Sequence, residues 1–320
     1  MTATPLRVGQ IGTRHGHARG KWQALVSNSR VKAVGLFEPE EARRDSSAFP
    51  EARWFDSADA LLAECDAVAI EGRNFQSLDM ARQAVDAGKH LWFDKPAGDD
   101  WLTFEQLMDA AQTKHLYVQM GYMFRYSPPF VRVAELARSG ALGEVFSIRA
   151  HMSTSIGMDE RREQSRHAGG ILYDLGGHML DQIVWLLGRP SRVSAVVRND
   201  ATPELPQYSD NTVGVLQFER ALAIVDIAAM EPAPTARRFE VYGTRGSAIV
   251  DGFDPPRTLR LDLNGAVDVV EMEPTSRQAM YDRELEAFVA AVQDGRPADR
   301  PFEHERLVQE TLLRLTRGWP

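Results

Sequence analysis

Cysteine is nearly absent from this sequence: Cys65 is the one thiol in 320 residues. A lone thiol forms no internal disulfide and, with no CxxC partner, no thiolate metal or redox site, so a reducing compartment fits it. Long apolar runs are missing as well, and nothing approaches the roughly 20 residues that a membrane-crossing helix needs. There is no basic excess either. With 37 Lys and Arg against 45 Asp and Glu the formal net charge is -8, which excludes the electrostatic footprint of a nucleic-acid binder and mainly favours solubility. The chain shows no internal repeat and no low-complexity segment. Met1 to Arg7 carry no charged leader, apolar region or cleavage site, so the expected location is the cytoplasm, with no membrane partner.

What is present is an ordinary globular composition, 43% hydrophobic and 26% charged, in a chain longer than one core usually sustains. Two domains are expected. From Arg7 to about Gly121, short apolar runs (Val8–Ile11, Val31–Phe37, Arg53–Phe55, Ala67–Ile70, His90–Phe93, Leu116–Met120) alternate with amphipathic stretches such as Phe75–Ala87, which Gly88 stops. That alternation predicts a doubly wound α/β domain with a parallel sheet over residues 1–122. Residues 123–320 read differently. A Pro-containing start at Tyr126–Pro129 leads to a helix ending near Gly140, then come a strand over Val145–Met152, a polar loop, and an apolar helix over Ile171–Leu187. Strand-like runs from Arg192 to Glu271, broken by turns at Asp254–Pro256 and Asn264–Gly265, precede two closing helices, Ser276–Asp294 and Glu303–Arg317. This half is predicted to be α+β with a largely antiparallel sheet.

Three segments carry candidate chemistry. In the first, Val8-Gly9-Gln10-Ile11-Gly12-Thr13-Arg14-His15-Gly16-His17, a strand runs into a Gly-rich turn and a helix near Ala18. Backbone N–H groups and a helix N-terminus there suit a pyrophosphate. Glu38, closing the second run, offers the carboxylate that accepts ribose hydroxyls and repels a 2′-phosphate, favouring NAD over NADP, with Arg43 and Arg44 nearby as a counterweight. Measured from Gly12, the second and third glycines of GxGxxG are replaced by Arg14 and His17. His15 and His17 have no acidic or thiol companion at ligand spacing and read as polar turn residues, with no metal expected.

The second segment, Phe93-Asp94-Lys95-Pro96, ends the fifth run. A lysine at a strand's carboxyl end can polarise a substrate oxygen, whereas the commonplace alternative is a surface amine. In the third, Gly169–Asp181, Asp174 and His178 are four apart and share one helical face. The alternative there is a solvated ion pair, against which stands the apolar remainder of the helix. Gly176 and Gly177 inside it suggest that something approaches the backbone closely. Within the polar loop Ser153–Ala168, Arg161, Arg162, Arg166 and His167 could favour an anionic substrate, or could simply be solvated surface balanced by Asp159, Glu160 and Glu163.

These segments together resemble the Gfo/Idh/MocA oxidoreductases, the glucose-fructose oxidoreductase and inositol dehydrogenase group. The likeness runs over nearly the whole chain, through the Gly-rich turn, Ala87–His90 leading into Asp94-Lys95-Pro96, Tyr122–Pro128, Ser139–Val145, Gly169–Asp181 and Tyr242–Ser247. It implies an N-terminal Rossmann dinucleotide-binding domain, then an α+β domain with a large open, mainly antiparallel sheet that forms homodimers or homotetramers. It also implies an NAD(P)-dependent enzyme moving a hydride to or from a hydroxyl of a sugar, sugar acid or cyclitol, with NAD as cofactor and NADP possible. His178 would be the proton acceptor, with Lys95 and Asp174 orienting the substrate. Candidate cofactor contacts are Gly12, Thr13, Arg14, Glu38, Asn74, Asp94 and Lys95. Arg125, Arg166 and His167 complete the candidate substrate contacts. Asp94 stands where the family has glutamate, Arg14 and His17 where it has glycines, and Glu71-Gly72-Arg73-Asn74 where it shows Ala-Thr-Pro-Asn. Two alternatives share the resemblance: a glycosidase or epimerase-like enzyme using bound NAD for transient oxidation, and a non-catalytic cofactor-binding regulator, which would not need Lys95, Asp174 and His178.

Overall fold

A computed structural model describes residues 4–295 and 300–317. It divides into two compact units, Met1–Tyr122 with Arg277–Arg306, and Met123–Ser276 with Leu307–Pro320. Unit one is built on five strands, β1 (Leu6–Ile11), β2 (Val31–Phe37), β3 (Ala67–Ile70), β4 (His90–Phe93) and β5 (Val118–Met120), in the order β2-β1-β3-β4-β5. All pairs are parallel. Strands covered on both faces need apolar residues throughout, and β3 is buried at all four positions.

The intervening helices are α1 (Ala18–Ser27), α2 (Ala58–Glu64), α3 (Asn74–Asp86) and α4 (Trp101–Thr113). Ser57 and Asp100 cap α2 and α4 by accepting the amides of Ala60 and Thr103, satisfying donors that the helix cannot. Arg53–Phe55, expected as a strand, forms a single parallel bridge between Trp54 and Leu36. Leu36 donates to Arg53 and accepts from Phe55, after which the chain leaves for the Ser57 cap. With that bridge outside β2, strand order reverses between β1 and β3, the place beyond whose carboxyl ends ligands bind in such sheets.

Unit one also holds α8 (Arg277–Asp294), which the sequence reading assigned to the second domain. Met280, Tyr281, Glu284, Leu285, Phe288 and Val289 are buried on it, and it packs on α1 and β4. A helix with so broad an apolar face must cover another element, and the N-terminal sheet supplies one.

Unit two contains β6 (Val145–His151), β7 (Arg192–Arg198), β8 (Asn211–Gln217), β9 (Leu222–Ala228), β10 (Arg238–Gly243), β11 (Gly246–Phe253), β12 (Pro256–Leu263) and β13 (Ala266–Glu271). They form one sheet in the order β13-β12-β11-β10-β6-β9-β8-β7. Within this sheet only β6 and β9, among the described strands, pair in parallel. Its helices are α5 (Pro128–Arg138), α6 (Met158–Gln164), α7 (Ile171–Leu187) and, from Leu307 on, α9 (Phe302–Arg317). In β9, Ala223, Val225 and Ile227 are buried while alternate residues are not, the period-two pattern of a sheet with one covered face. Asn264 and Gly265 sit at φ +54° and +82°, the left-handed pair that a two-residue hairpin requires.

Candidate functional site

Beyond Ile11 the backbone of unit one turns through Gly12 at φ +86°, where a Cβ would lie 2.4 Å from the amide nitrogen of Gly72. Only glycine fits so close an approach. Glu38, 1% exposed at the end of β2, accepts the Thr13 amide at 2.8 Å and hydroxyl at 2.7 Å on one oxygen, and the Glu40 amide at 3.1 Å on the other. A carboxylate has about four acceptor positions, so capacity remains for a ribose hydroxyl. Beside this turn stand the exposed Arg14 and, at the start of α3, Asn74. These are the residues that could hold the adenosine half of a dinucleotide.

The phosphate cradle differs from an open Gly-rich turn. The amides of Arg14 and His15 both donate to the Glu71 carbonyl, at 3.1 and 2.9 Å, and that of His17 donates to His15 Nδ1 at 3.2 Å. The side chains replacing glycine enter a buried charged cluster instead. His17 Nδ1 lies 2.9 Å from Asp94 Oδ2, His15 Nδ1 lies 3.3 Å from that same oxygen and 3.5 Å from Glu71, and Lys21 of α1 reaches Asp94 at 3.0 Å, Glu71 at 3.4 Å and Glu284 of α8 at 3.7 Å. The spacing of the two histidines offered no acid. The fold supplies Asp94 from the end of β4, 77 residues beyond His17, and Glu71 from the end of β3. Lys21 and Glu284 escaped the sequence reading, although a lysine four residues after His17 shares its helical face.

Mutual screening sets the charges of this cluster. Burial works against a charge on His15, but the carboxylates of Asp94 and Glu71 outweigh it and raise its pKa to about 9. For His17 burial dominates, lowering the pKa to about 4. Asp94 is held well below the usual carboxylate range because His15 and Lys21 overcome its desolvation. Desolvation raises Glu71, with the Asp94 charge adding to it, and pushes Glu284 up to about 7. Lys95 follows, 3% exposed, its amide donating to Asp94 Oδ1 at 2.7 Å.

In unit two, α7 carries Asp174 and His178 on one face. His178 is 2% exposed, and its ring meets Phe124 edge-on at 5.0 Å. Asp174 accepts from the Gln164 amide at 3.1 Å, and the Gln164 carbonyl oxygen accepts the Tyr208 hydroxyl at 2.6 Å. Gln164 and Tyr208 were not foreseen, since they come from α6 and from a turn 44 residues apart in sequence. The close approach expected at the α7 glycines is core packing at Gly176, where a Cβ would meet Leu312 of α9 at 3.3 Å.

The arginines depart from their expected roles. Arg125, a candidate substrate contact, is 1% exposed, grips Asp181 at 3.2 and 2.5 Å and lies 4.1 Å over Trp185. It is a structural cation of unit two. The polar loop folds in part into α6, where Arg162 pairs with Asp159, and just beyond it Arg166, with 54% of its side chain exposed, pairs with Glu163. Arg161 holds the Ile156 and Ala229 carbonyls and Thr202, so it is a tether for the segment. His167 stacks on Tyr173 at 4.5 Å.

Comparison with known proteins agrees with this architecture. Residues 6–122 match the model of an oxidoreductase family with an NAD-binding Rossmann fold, and residues 130–249 match the GFO/IDH/MocA C-terminal domain. D-xylose 1-dehydrogenase (NADP(+)) 2 of Haloferax volcanii is 30% identical over 304 residues, covering 90% of this chain and 89% of that one. An uncharacterized oxidoreductase of Schizosaccharomyces pombe is 26% identical over 75% of this chain, which spans 64% of that protein's length. Among solved structures, UDP-N-acetylglucosamine 3-dehydrogenase GnnA from Acidithiobacillus ferrooxidans superposes with a TM-score of 0.82 at 25% identity, covering 98% of this chain and 97% of that one. Sheet topology, the turn at Gly12 and both family matches lead to one conclusion: the chain belongs to the Gfo/Idh/MocA family of NAD(P)-binding oxidoreductases.

Proposed function

We infer that the chain is an NAD-preferring dehydrogenase of a hydroxyl group on a sugar, sugar acid or cyclitol. The observation that carries this reading is the buried His178 with Asp174 one turn before it on α7, Asp174 being held by the Gln164–Tyr208 hydrogen-bond chain. An oriented carboxylate beside an imidazole is a proton-accepting pair. His178 takes the substrate hydroxyl proton, Asp174 fixes the substrate's orientation, and Lys95 stabilises the negative charge that grows on the oxygen. Bound nicotinamide supplies the hydride acceptor. Glu38 and the Gly12 turn would hold the adenosine ribose, and that carboxylate would disfavour a 2′-phosphate next to it. The relatives named as D-xylose and UDP-N-acetylglucosamine dehydrogenases support a sugar-type substrate.

Incubating the protein with NAD or NADP and a panel of aldoses, sugar acids and cyclitols, while following the absorbance of reduced nicotinamide, tests the reading. Stoichiometric NADH release with one of them is expected. Conversion of a substrate without net NADH would favour transient oxidation of the glycosidase or epimerase kind, and NAD binding with no turnover would favour a regulator.

A further inference from the structure

The Gly-rich turn contains more chemistry than a nucleotide needs. Two imidazoles two residues apart, a carboxylate from the end of β4 and another from the end of β3 converge beneath it, all largely withdrawn from solvent: the side chains of His15, His17, Asp94 and Glu71 are 9%, 11%, 2% and 0% exposed. We propose that His15, His17 and Asp94 form a binding site for one divalent transition-metal ion of the zinc type, with Glu71 against it.

The geometry argues for this directly. Donor atoms around a tetrahedral ion with bonds of about 2.0–2.1 Å stand about 3.3 Å from one another. Asp94 Oδ2 lies 3.3 Å from His15 Nδ1 and 2.9 Å from His17 Nδ1, and one ligand atom from each of the three residues lies within 4.8 Å of the others. Two imidazole nitrogens and one carboxylate oxygen are a donor set that suits zinc, with the fourth position left for a further oxygen, and His15 Nδ1 would exchange the His17 amide that it accepts at 3.2 Å for the ion.

A second observation concerns a fourth side chain. Glu71 is wholly buried, yet among the described residues neither of its carboxylate oxygens has a well-formed hydrogen bond. Its nearest cationic neighbours, Lys21 Nζ at 3.4 Å and His15 Nδ1 at 3.5 Å, are ion-pair contacts. Buried carboxylates are ordinarily hydrogen-bonded or ligated, and Glu71 Oε2 points at the His15 nitrogen that would bind the ion. Lys21, 3.0 Å from Asp94 Oδ2, competes for the same oxygen, which makes the site selective for an ion that bonds nitrogen strongly over one, such as magnesium, that binds oxygen alone.

The test uses the full-length protein stripped with chelator and dialysed, with neither nucleotide nor substrate present, so its outcome is separate from that of the dehydrogenase assay. Zinc chloride is titrated by calorimetry, zinc content is measured by mass spectrometry after gel filtration, and cobalt(II) is added in parallel for its visible spectrum. One equivalent of zinc is expected, with an intense cobalt spectrum of low coordination number. His15→Gln, His17→Gln and Asp94→Asn should each weaken zinc binding at least about 100-fold, beyond the 10–100-fold typical of residues that only support a ligand. His115→Gln, on the exposed end of α4, should leave it unchanged. Circular dichroism of the metal-free variants confirms that each is folded, and any one folded member of the three suffices. The proposal is overturned if the stripped wild type takes up no zinc, if a folded variant binds as tightly as wild type, or if His115→Gln abolishes uptake.

Discussion

At the residue scale the decisive side chains are those whose partners define their task. Glu38 spends three acceptor positions on Thr13 and Glu40, so its carboxylate is fixed at the end of β2, where we propose that it excludes a 2′-phosphate. Glu38→Ala should therefore narrow the preference for NAD over NADP, and calorimetry with both nucleotides measures it. Tighter binding of NADP by the wild type would contradict this role. Arg125 is a second case. Its buried pairing with Asp181 means that Arg125→Met strands a carboxylate in the core of unit two, and removing one partner of a buried pair costs about 3–5 kcal/mol. Urea unfolding should show a loss of that size. A loss below about 1 kcal/mol, the scale of an exposed pair, would mean that Asp181 is solvated.

Element-scale order was largely legible in the sequence, because period and punctuation are local. Val31–Phe37, Ala67–Ile70, His90–Phe93 and Ile171–Leu187 coincide with the elements at both ends. What was not legible depended on distant partners. Arg53–Phe55 looks like a strand but meets β2 at one residue, α6 carries charges that read equally well as loop, and α8 belongs to unit one because its apolar face finds α1 and β4. The candidate site divides the same way. The Asp174/His178 spacing is readable within one helix, whereas the carboxylates around His15 and His17 come from two other strand ends.

Between elements, His151 of β6 joins its strand partner Asp226 of β9 through Nδ1 and Glu231 through Nε2. The hydrogen bond to Asp226 is the main cause of its raised pKa, about 9, against the opposing effect of burial. A group whose folded pKa exceeds its unfolded value of about 6.5 contributes stability that is complete below the lower value. That contribution fades as pH rises through the upper one. Melting temperatures of wild type and His151→Asn should thus differ most near pH 6 and converge above pH 9. A gap that widens with pH would contradict the assignment.

For the molecule as a whole, the eight-stranded sheet leaves Phe146, Val213, Leu222, Val267 and Val269 between 38% and 57% exposed, apolar side chains that an interface between copies of the chain would cover. Light scattering on a sizing column should give a dimer or tetramer of the 35.8 kDa chain, and a monomer at micromolar concentration would contradict that expectation.

The central proposal is that His178 takes the substrate proton and that Lys95 steadies the oxygen. It is tested most directly by single-turnover and steady-state kinetics of Lys95→Ala and His178→Ala on the substrate that releases most NADH, with NAD affinity measured alongside. The account predicts that kcat falls at least about 10²-fold in each variant, the scale of lost acid–base assistance, while the dissociation constant for NAD stays within a few-fold of wild type. Turnover near the wild-type rate in either variant would contradict it.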